Sequence, residues 1–377
     1  MEADVLVVGG GPAGAAAALT LCRHTRWRVA LVDRGPAAGP RVGETIGAGV
    51  QAQLRYLGVE AAFVADRHAR AWATAAAWGD DAVQWRESIF AGYGAGWHLD
   101  RARFDEMLVD AAAGAGATVL RGQSVVRCAP AAERWIVDTR ATRGAPVRIT
   151  ARFVIDATGR AGALARELGA CTESIDRLAA VVGFLAPDGC ADGPGYTLVE
   201  AAPDGWWYSS GVPGGGLVVA WLSDADLLRD AGMTRPGVWR DRLARAQHTA
   251  ARVTDRMLAV PLVSRPAASR RRLTVGGSRW IAAGDAAASF DPLSGIGIGF
   301  ALHSGIHAAR VANEELQGVS TLRDGYVSAV DATVREFRDR SRALYAVEQR
   351  WCDRPFWRRR LNSDASPQMS PRVAAAQ

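Results

Sequence analysis

The chain has 377 residues, 49% hydrophobic and 22% charged, a composition that folds around a core and is long enough for one two-lobed unit or two closely joined domains. Its net charge is +6 and every basic residue is an arginine, which excludes any mechanism that needs a lysine ammonium and favours anionic small ligands. The arginines are spread along the whole sequence with no nucleic-acid module beside them, so nucleic acid is not an expected partner.

Met1-Glu2-Ala3-Asp4 leads straight into an apolar run with no basic segment before it. A secretory signal is therefore not expected, and a cytoplasmic location is. Val5 to Val8 has the continuous apolar character of a buried parallel strand, Pro12 to Cys22 is alanine-rich and helical, and Val29 to Val32 is a second strand. A helix over about Gly47 to Leu57 follows the loop Arg41-Val42-Gly43-Glu44. Alternating segments at Ala71 to Trp78 and Val83 to Trp85 come next. Asp100 is placed to cap a helix from Arg101 to Ala113, and strand-like runs then lead to Arg152-Phe153-Val154-Ile155. From Leu178 to Leu222, alternating apolar segments are separated by Pro/Gly/Asp turns, the pattern of an antiparallel meander. One helix over about Pro236 to Ala246, a strand at Trp280 to Ala283 and long helices through Arg350 complete the order. No window reaches the roughly 18 uncharged apolar residues of a membrane span. The five cysteines form no paired spacing, and the histidines no ligand cluster, so neither a disulfide framework nor a metal site is expected.

Gly9-Gly10-Gly11-Pro12-Ala13-Gly14 lies between the first strand and the first helix. Gly9 permits the tight turn, Gly11 lets backbone approach a pyrophosphate, and Gly14 allows close helix–strand packing, with the phosphates at the helix N-terminus. Asp33 ends the second strand about 20 residues further on, where a carboxylate accepts from ribose hydroxyls, and Arg34 adjoins it. Together these indicate a dinucleotide. Two later segments choose which one. Asp156-Ala157-Thr158-Gly159 ends one strand, and Gly284-Asp285 ends another, followed by Asp291-Pro292-Leu293-Ser294-Gly295-Ile296-Gly297-Ile298 at a helix start. A nicotinamide dinucleotide does not need these elements, whereas FAD carries a ribityl chain and an isoalloxazine that do.

The order of these motifs, with Leu99-Asp100-Arg101 and Phe104-Asp105 between them, resembles the glutathione-reductase-type flavoproteins of the aromatic-hydroxylase superfamily. Within it, Gly43-Glu44-Thr45, Asp204-Gly205-Trp206-Trp207-Tyr208-Ser209 and Asp291-Pro292-Leu293-Ser294 resemble the tryptophan-halogenase-like branch. The similarity is greatest to monooxygenases that oxidise a precursor's tryptophan during maturation of amine-oxidase quinone cofactors. The implied fold is mixed α/β: a glutathione-reductase-type FAD-binding Rossmann domain with an inserted antiparallel-sheet substrate domain. The segments are FAD-binding at 1–75, 99–176 and 273–352 (the last with the C-terminal helices), substrate-binding at 76–98 and 177–272, and a mobile tail at 353–377.

The resemblance implies non-covalent FAD, with Asp285 on the ribityl hydroxyls and the backbone from Gly295 to Ile298 at the flavin edge. It also implies that Arg41 and Arg101 contact FAD oxygens, with Glu44, Asp156, Gly159, Gly284 and Pro292 completing the set. The expected activity is hydroxylation of an indole or phenol through a flavin C4a-(hydro)peroxide, with O2 and with NAD(P)H or supplied reduced flavin as reductant. The expected substrate is an aromatic small molecule or a tryptophan-bearing peptide or protein precursor. Halogenases of this branch carry a catalytic lysine and a Trp-x-Trp-x-x-Pro motif; this chain has neither, which disfavours halogenation. A prenyl or polyene reductase of the same fold is the alternative, and a flavin carrier without turnover a third. Trp206 and Trp207 lie on the substrate sheet, where alternation turns one toward the flavin side and the other away. His98 is the candidate proton handler.

Overall fold

The apolar runs at the two ends of the glycine loop become the centre of a parallel sheet because they have no polar face to show to water. In the computed structural model, which describes residues 1–35, 39–87, 94–142, 144–187, 195–253, 256–361 and 368–369, Glu2–Val8 lies between Val29–Asp33 and Arg148–Asp156, parallel to both. Thr118–Arg121 extends the sheet beyond Val29–Asp33, and Trp280–Ala282 lies beyond Arg148–Asp156. An antiparallel pair, Gln123–Ala131 and Arg134–Ala141, is carried on Arg148–Asp156.

Pro12–His24 packs on this sheet through Ala15 to Ala18, all fully buried. Small residues let the Gly297–Leu316 helix press against it. A Cβ at Gly305 would lie 2.1 Å from the Ala13 carbonyl oxygen, so this crossing requires glycine. Asp100 caps Arg101–Gly114 as expected, its carboxylate accepting from the backbone N–H of Ala102 and Arg103.

The second sheet has the order Val263–Pro266, Leu178–Leu185, Leu217–Asp224, Gly205–Gly211, Tyr196–Ala202, Ala73–Ala77, Gln84–Glu87. All its pairings are antiparallel except Tyr196–Ala202 with Ala73–Ala77. The crossing into this sheet therefore begins at Ala73, slightly before residue 76. A small sheet of Thr45–Ile46, Gly96–His98 and Ala69–Ala71 bridges the two lobes. The mixed α/β fold and its inserted sheet are thus as the motifs imply.

Alternation gives the second sheet two different faces. Trp206 points inward to a cluster with Trp78, Tyr345, Phe356 and Trp357, whereas Trp207 points outward against Trp221 and Trp239. Outer helices Ala225–Asp230, Pro236–Leu243 and Gln247–Ala251 cover that outer face. The single helix expected over about Pro236 to Ala246 instead ends at Leu243, and a second begins at Gln247. Glu200 on the neighbouring strand accepts from the N–H groups of His248 and Thr249 and so starts a new helix.

The expectation of a mobile tail from residue 353 is corrected in part. Pro355–Leu361 is a helix with Phe356 and Trp357 fully buried, and Arg359 and Arg360 pair with the buried Asp224. Two aromatic side chains of that size outweigh the local run of arginines. The Asp188-Gly189 and Gly193-Pro194 turns, Cys190 and tail residues 362–367 and 370–377 lie outside the described residues. No helix among the described residues is long and apolar enough to cross a membrane, and no described group of His, Cys, Asp and Glu suits a metal.

Candidate functional site

The glycine loop is built by contacts that no side chain tolerates. Gly9 has φ +112°, and a Cβ there would lie 2.3 Å from the carbonyl oxygen of Ala157. The first motif therefore rests directly on the Asp156-to-Gly159 turn. A Cβ at Gly14 would be 1.8 Å from the Gly9 carbonyl oxygen, which holds Pro12–His24 against the strand. Gly11, by contrast, has nothing within 4 Å of its Cβ position: this is the open side of the loop. The Asp33 carboxyl group lies against Gly10, and Arg34 beside it is exposed. No side chain caps the helix that starts at Pro12, so its first N–H groups are left for an anion. The residues present fit a dinucleotide diphosphate.

Asp156 has a different task from the one expected. It is fully buried, and its carboxylate accepts from the Thr158 N–H and hydroxyl and from the Ala165 N–H. With both oxygens occupied inside its own turn, it shapes the strand end that supports Gly9; Gly159 follows with φ +66°.

Gly284 brings the distant part of the chain to this point. Its φ is +60°, a Cβ there would meet the Cβ of Ala13 at 2.8 Å, and the Ser304 hydroxyl accepts from its N–H. Asp285 is partly exposed beside it and pairs with Arg160 at 3.5 Å, joining the two late motifs. Asp285→Ala is expected to weaken FAD retention tenfold to a hundredfold, about 1.5 to 3 kcal/mol. Unchanged affinity by fluorescence titration of the apoprotein would show that this carboxylate does not touch the ribityl chain.

A cleft of about 270 Å³ opens between Ile46, Gly47, Gly49, Val50 and Gln53 on one side and Gly295, Ile296, Gly299 and Phe300 on the other. Asp291 shapes its rim by accepting from the Leu293 N–H, and Gly295 ends the short turn with φ +64°. The helix Gly297–Leu316 then begins with no side-chain cap. Its free first-turn N–H groups favour negative charge at the cleft. This space fits a flat ring system.

Arg41 and Arg101 both converge on Asp105. Arg101 also donates to the carbonyl oxygens of Val42 and Gly43, at 2.7 and 3.2 Å. Their observed work is to tie the 41–44 loop to the Arg101–Gly114 helix. Glu44, at the end of that loop, is buried, and its backbone carbonyl accepts from the Leu99 N–H. Burial raises its pKa, against the opposing charge of Arg101, and one of its oxygens is buried without a partner.

His98 is fully buried, with Nδ1 2.9 Å from the Ser210 hydroxyl and 3.0 Å from the Thr45 hydroxyl. Burial, and then the charge of Arg252, push its pKa down to about 4. It is neutral at pH 7 and is no base for holding a proton. A depressed histidine pKa contributes stability that is complete above the unfolded value of about 6.5 and is lost as pH falls toward 4, by about 3 kcal/mol. Asp291, raised by burial to about 6, works in the opposite sense between roughly pH 6 and 4. Urea unfolding of wild type and His98→Asn at pH 7 and pH 4 isolates the histidine. The variant is expected to lose about 3 kcal/mol less on acidification, and equal losses would contradict the assignment.

Trp206 and Trp207 divide as alternation requires, but both are fully buried. Trp206 donates to the Tyr345 hydroxyl at 3.2 Å, and Tyr345 donates to Asp291 at 2.7 Å. Trp206 thus reaches the cleft rim through two hydrogen bonds. Tyr345, Ser210, Thr197 and Arg252 escaped the sequence reading. Each lies far in sequence from the motif it serves, and only the alternation that places Ser210 on the face of Tyr208 gave a signal.

Comparison with known proteins agrees with this construction. The profile of the tryptophan halogenase family matches residues 80–377, and that of an FAD-binding domain matches residues 4–88. LodB of Marinomonas mediterranea is 31% identical over 95% of this chain and 96% of its own. The structure of the peptidyl tryptophan dihydroxylase QhpG, 26% identical, superposes with a TM-score of 0.74 over 96% of this chain and 79% of QhpG. The myxobacterial chondrochloren halogenase CndH shares the fold at TM-score 0.87 and 20% identity, over 96% of this chain and 87% of CndH. A Rossmann lobe fitted to FAD, an inserted substrate sheet and a profile spanning most of the sequence together place this chain in the tryptophan halogenase family of FAD-dependent oxidoreductases.

Proposed function

We propose that this protein is an FAD-dependent monooxygenase that hydroxylates an aromatic ring, an indole or phenol, with a tryptophan held in a peptide or protein precursor as its substrate. The observation that carries the reading is a family member without a single lysine. No lysine ammonium is present to hold a hypohalous acid between cofactor and substrate, and the planar, delocalised guanidinium of arginine is not equivalent to that compact point charge. QhpG, whose name assigns it peptidyl tryptophan, supports the substrate class.

When bound and reduced by NAD(P)H or by an external flavin supply, FAD provides the electrons that activate O2. The protein's own work is to position the ring and keep water out. The half-buried apolar side chains Val42, Phe184, Val212 and Leu293 belong to the same inner-face cluster as Trp206 and Tyr208. They suit an aromatic ring held in a dry space beside the cleft. With reductant, O2 and a tryptophan-bearing peptide, turnover is expected to consume oxygen at a rate unchanged by chloride or bromide. A halogenated product, or a rate that requires halide, would contradict the proposal.

A further inference from the structure

Of the thirteen tryptophans, only Trp72 and Trp85 are exposed, at 62% and 56%. They stand at one place on the surface. A Cβ on Gly195 would lie 2.8 Å from the Trp72 ring, and the Gly195 carbonyl accepts from the Trp72 N–H at 2.7 Å. The Trp85 ring makes a T-shaped contact with Tyr196, the next residue, at 4.9 Å between centroids. Arg252 fixes that tyrosine, its guanidinium 4.2 Å from the ring and donating to the Tyr196 carbonyl at 3.0 Å. A scattered exposed apolar side chain needs no explanation, but two indoles on adjoining residues of a rigid base mark a contact surface.

Trp85 lies in Gln84–Glu87, whose four residues are all exposed. This strand ends the substrate sheet and pairs only with Ala73–Ala77 among the described residues. The outer side of such a strand offers backbone N–H and C=O groups to an extended chain. Alternation places Trp85 and Arg86 on opposite faces, so a chain laid along the edge meets an indole on one side and a guanidinium on the other. Arg70, also exposed, stacks on Trp97 with its guanidinium 4.8 Å from the ring. Neither Arg70 nor Arg86 makes an ion pair among the described residues, and Glu87 is the one acid of the strand. Tryptophan and arginine are the side chains that carry most binding energy at protein interfaces. The two guanidinium groups select a partner with acidic side chains.

The surface continues from the cleft. Ile46 lines the cleft and pairs with Trp97, which pairs with Arg70. Two strand spacings, about 10 Å, separate Ile46 from Arg70, and roughly three extended residues cross that distance. One polypeptide can thus present a ring at the cleft and lie along the edge strand. We propose that Trp72, Trp85, Arg70 and Arg86 form a docking surface for an extended, acidic segment of the protein that carries the tryptophan to be oxidised. The inference rests on the reading that the substrate tryptophan is held in a polypeptide, and it supplies the remote contacts that select the precursor over free tryptophan.

Binding is measured without reductant, so that its outcome is independent of the chemistry. The FAD-loaded full chain is titrated into fluorescein-labelled peptides of about 12 residues, long enough to span cleft and edge when extended. Each peptide has one central tryptophan flanked by alternating Thr and Glu, or by alternating Thr and Lys. The Thr/Glu peptide is expected to bind roughly tenfold more tightly than the Thr/Lys peptide. Trp72→Ser/Trp85→Ser is expected to lose roughly tenfold in affinity for it, at unchanged FAD content and melting temperature. Arg70→Glu/Arg86→Glu is expected to reverse the order of the two peptides. Equal binding of the two peptides by wild type, an order that survives the charge reversal, or full affinity in the tryptophan variant would overturn the docking surface. So would a wild-type dimer in analytical ultracentrifugation that the tryptophan variant lacks, which would give the surface to a second copy of the chain. Binding in the expected order without hydroxylation on adding reductant and O2 would uphold the surface and contradict only the proposed reaction.

Discussion

Gly14→Ala is expected to yield a protein that no longer retains FAD. The added Cβ would lie 1.8 Å from the carbonyl oxygen of Gly9 and 3.1 Å from the Cβ of Ala157. The first of these contacts is with backbone, so no rotamer relieves it. The helix Pro12–His24 has to move off the Glu2–Val8 strand, and its N-terminal N–H groups move with it. Those groups are placed where the pyrophosphate would sit. The opposite side of the helix is also fixed, because Gly305 presses on Ala13. Overpacking of this kind costs about 1 to 3 kcal/mol in stability. The larger effect is on the cofactor: a fall in affinity of 10²-fold or more is expected, read as loss of flavin absorbance after gel filtration. Gly11→Ala is the control, since its Cβ position is open and only the approach of the ligand opposes it. A yellow Gly14→Ala protein of wild-type stability would contradict the contact.

The second large effect separates the adjacent tryptophans. Trp207→Ala removes a fully buried indole that packs on Trp221 and Trp239, at an expected loss of about 3 to 5 kcal/mol. FAD affinity of the fraction that remains folded is expected to be unchanged, because this outer face is turned away from the cleft. Trp206→Phe keeps most of the inner packing but deletes the hydrogen bond to Tyr345, and with it the link to Asp291. Roughly fivefold slower turnover is expected, corresponding to about 1 kcal/mol, with FAD retained. Denaturant titration and steady-state kinetics on the pair test both statements. Equal stability losses with no kinetic difference would show that the two faces are not distinct.

The fold was legible wherever one short segment carries a complete physical signal. The glycine loop, its acidic partner Asp33 and the buried strands around it are local patterns with a single geometric solution. The same is true of the turns that punctuate Leu178 to Leu222 and of the Asp100 cap. What was not legible depends on partners distant in sequence. Asp156 looked available to the cofactor until the turn brought Thr158 and Ala165 onto its oxygens. Glu44 reads as part of a cofactor loop in sequence, whereas the fold buries its side chain and burial raises its pKa. The arginine-rich segment after residue 353 looked solvated because the Asp224 carboxylate that receives Arg359 and Arg360 lies more than a hundred residues earlier. His98 was visible as a candidate, but its neutral state follows from burial and from Arg252, which no sequence spacing reveals.

Direct transfer of oxygen to an aromatic carbon, as proposed above, is tested by isotopic labelling of the product. The FAD-loaded protein is given NAD(P)H or reduced flavin, a tryptophan-bearing peptide and ¹⁸O-labelled O2, in the presence and absence of bromide. The expected product is an intact peptide that gains oxygen on its indole ring, with every added atom carrying the label and no change on adding bromide. A brominated peptide, or added oxygen that comes from water, would contradict it.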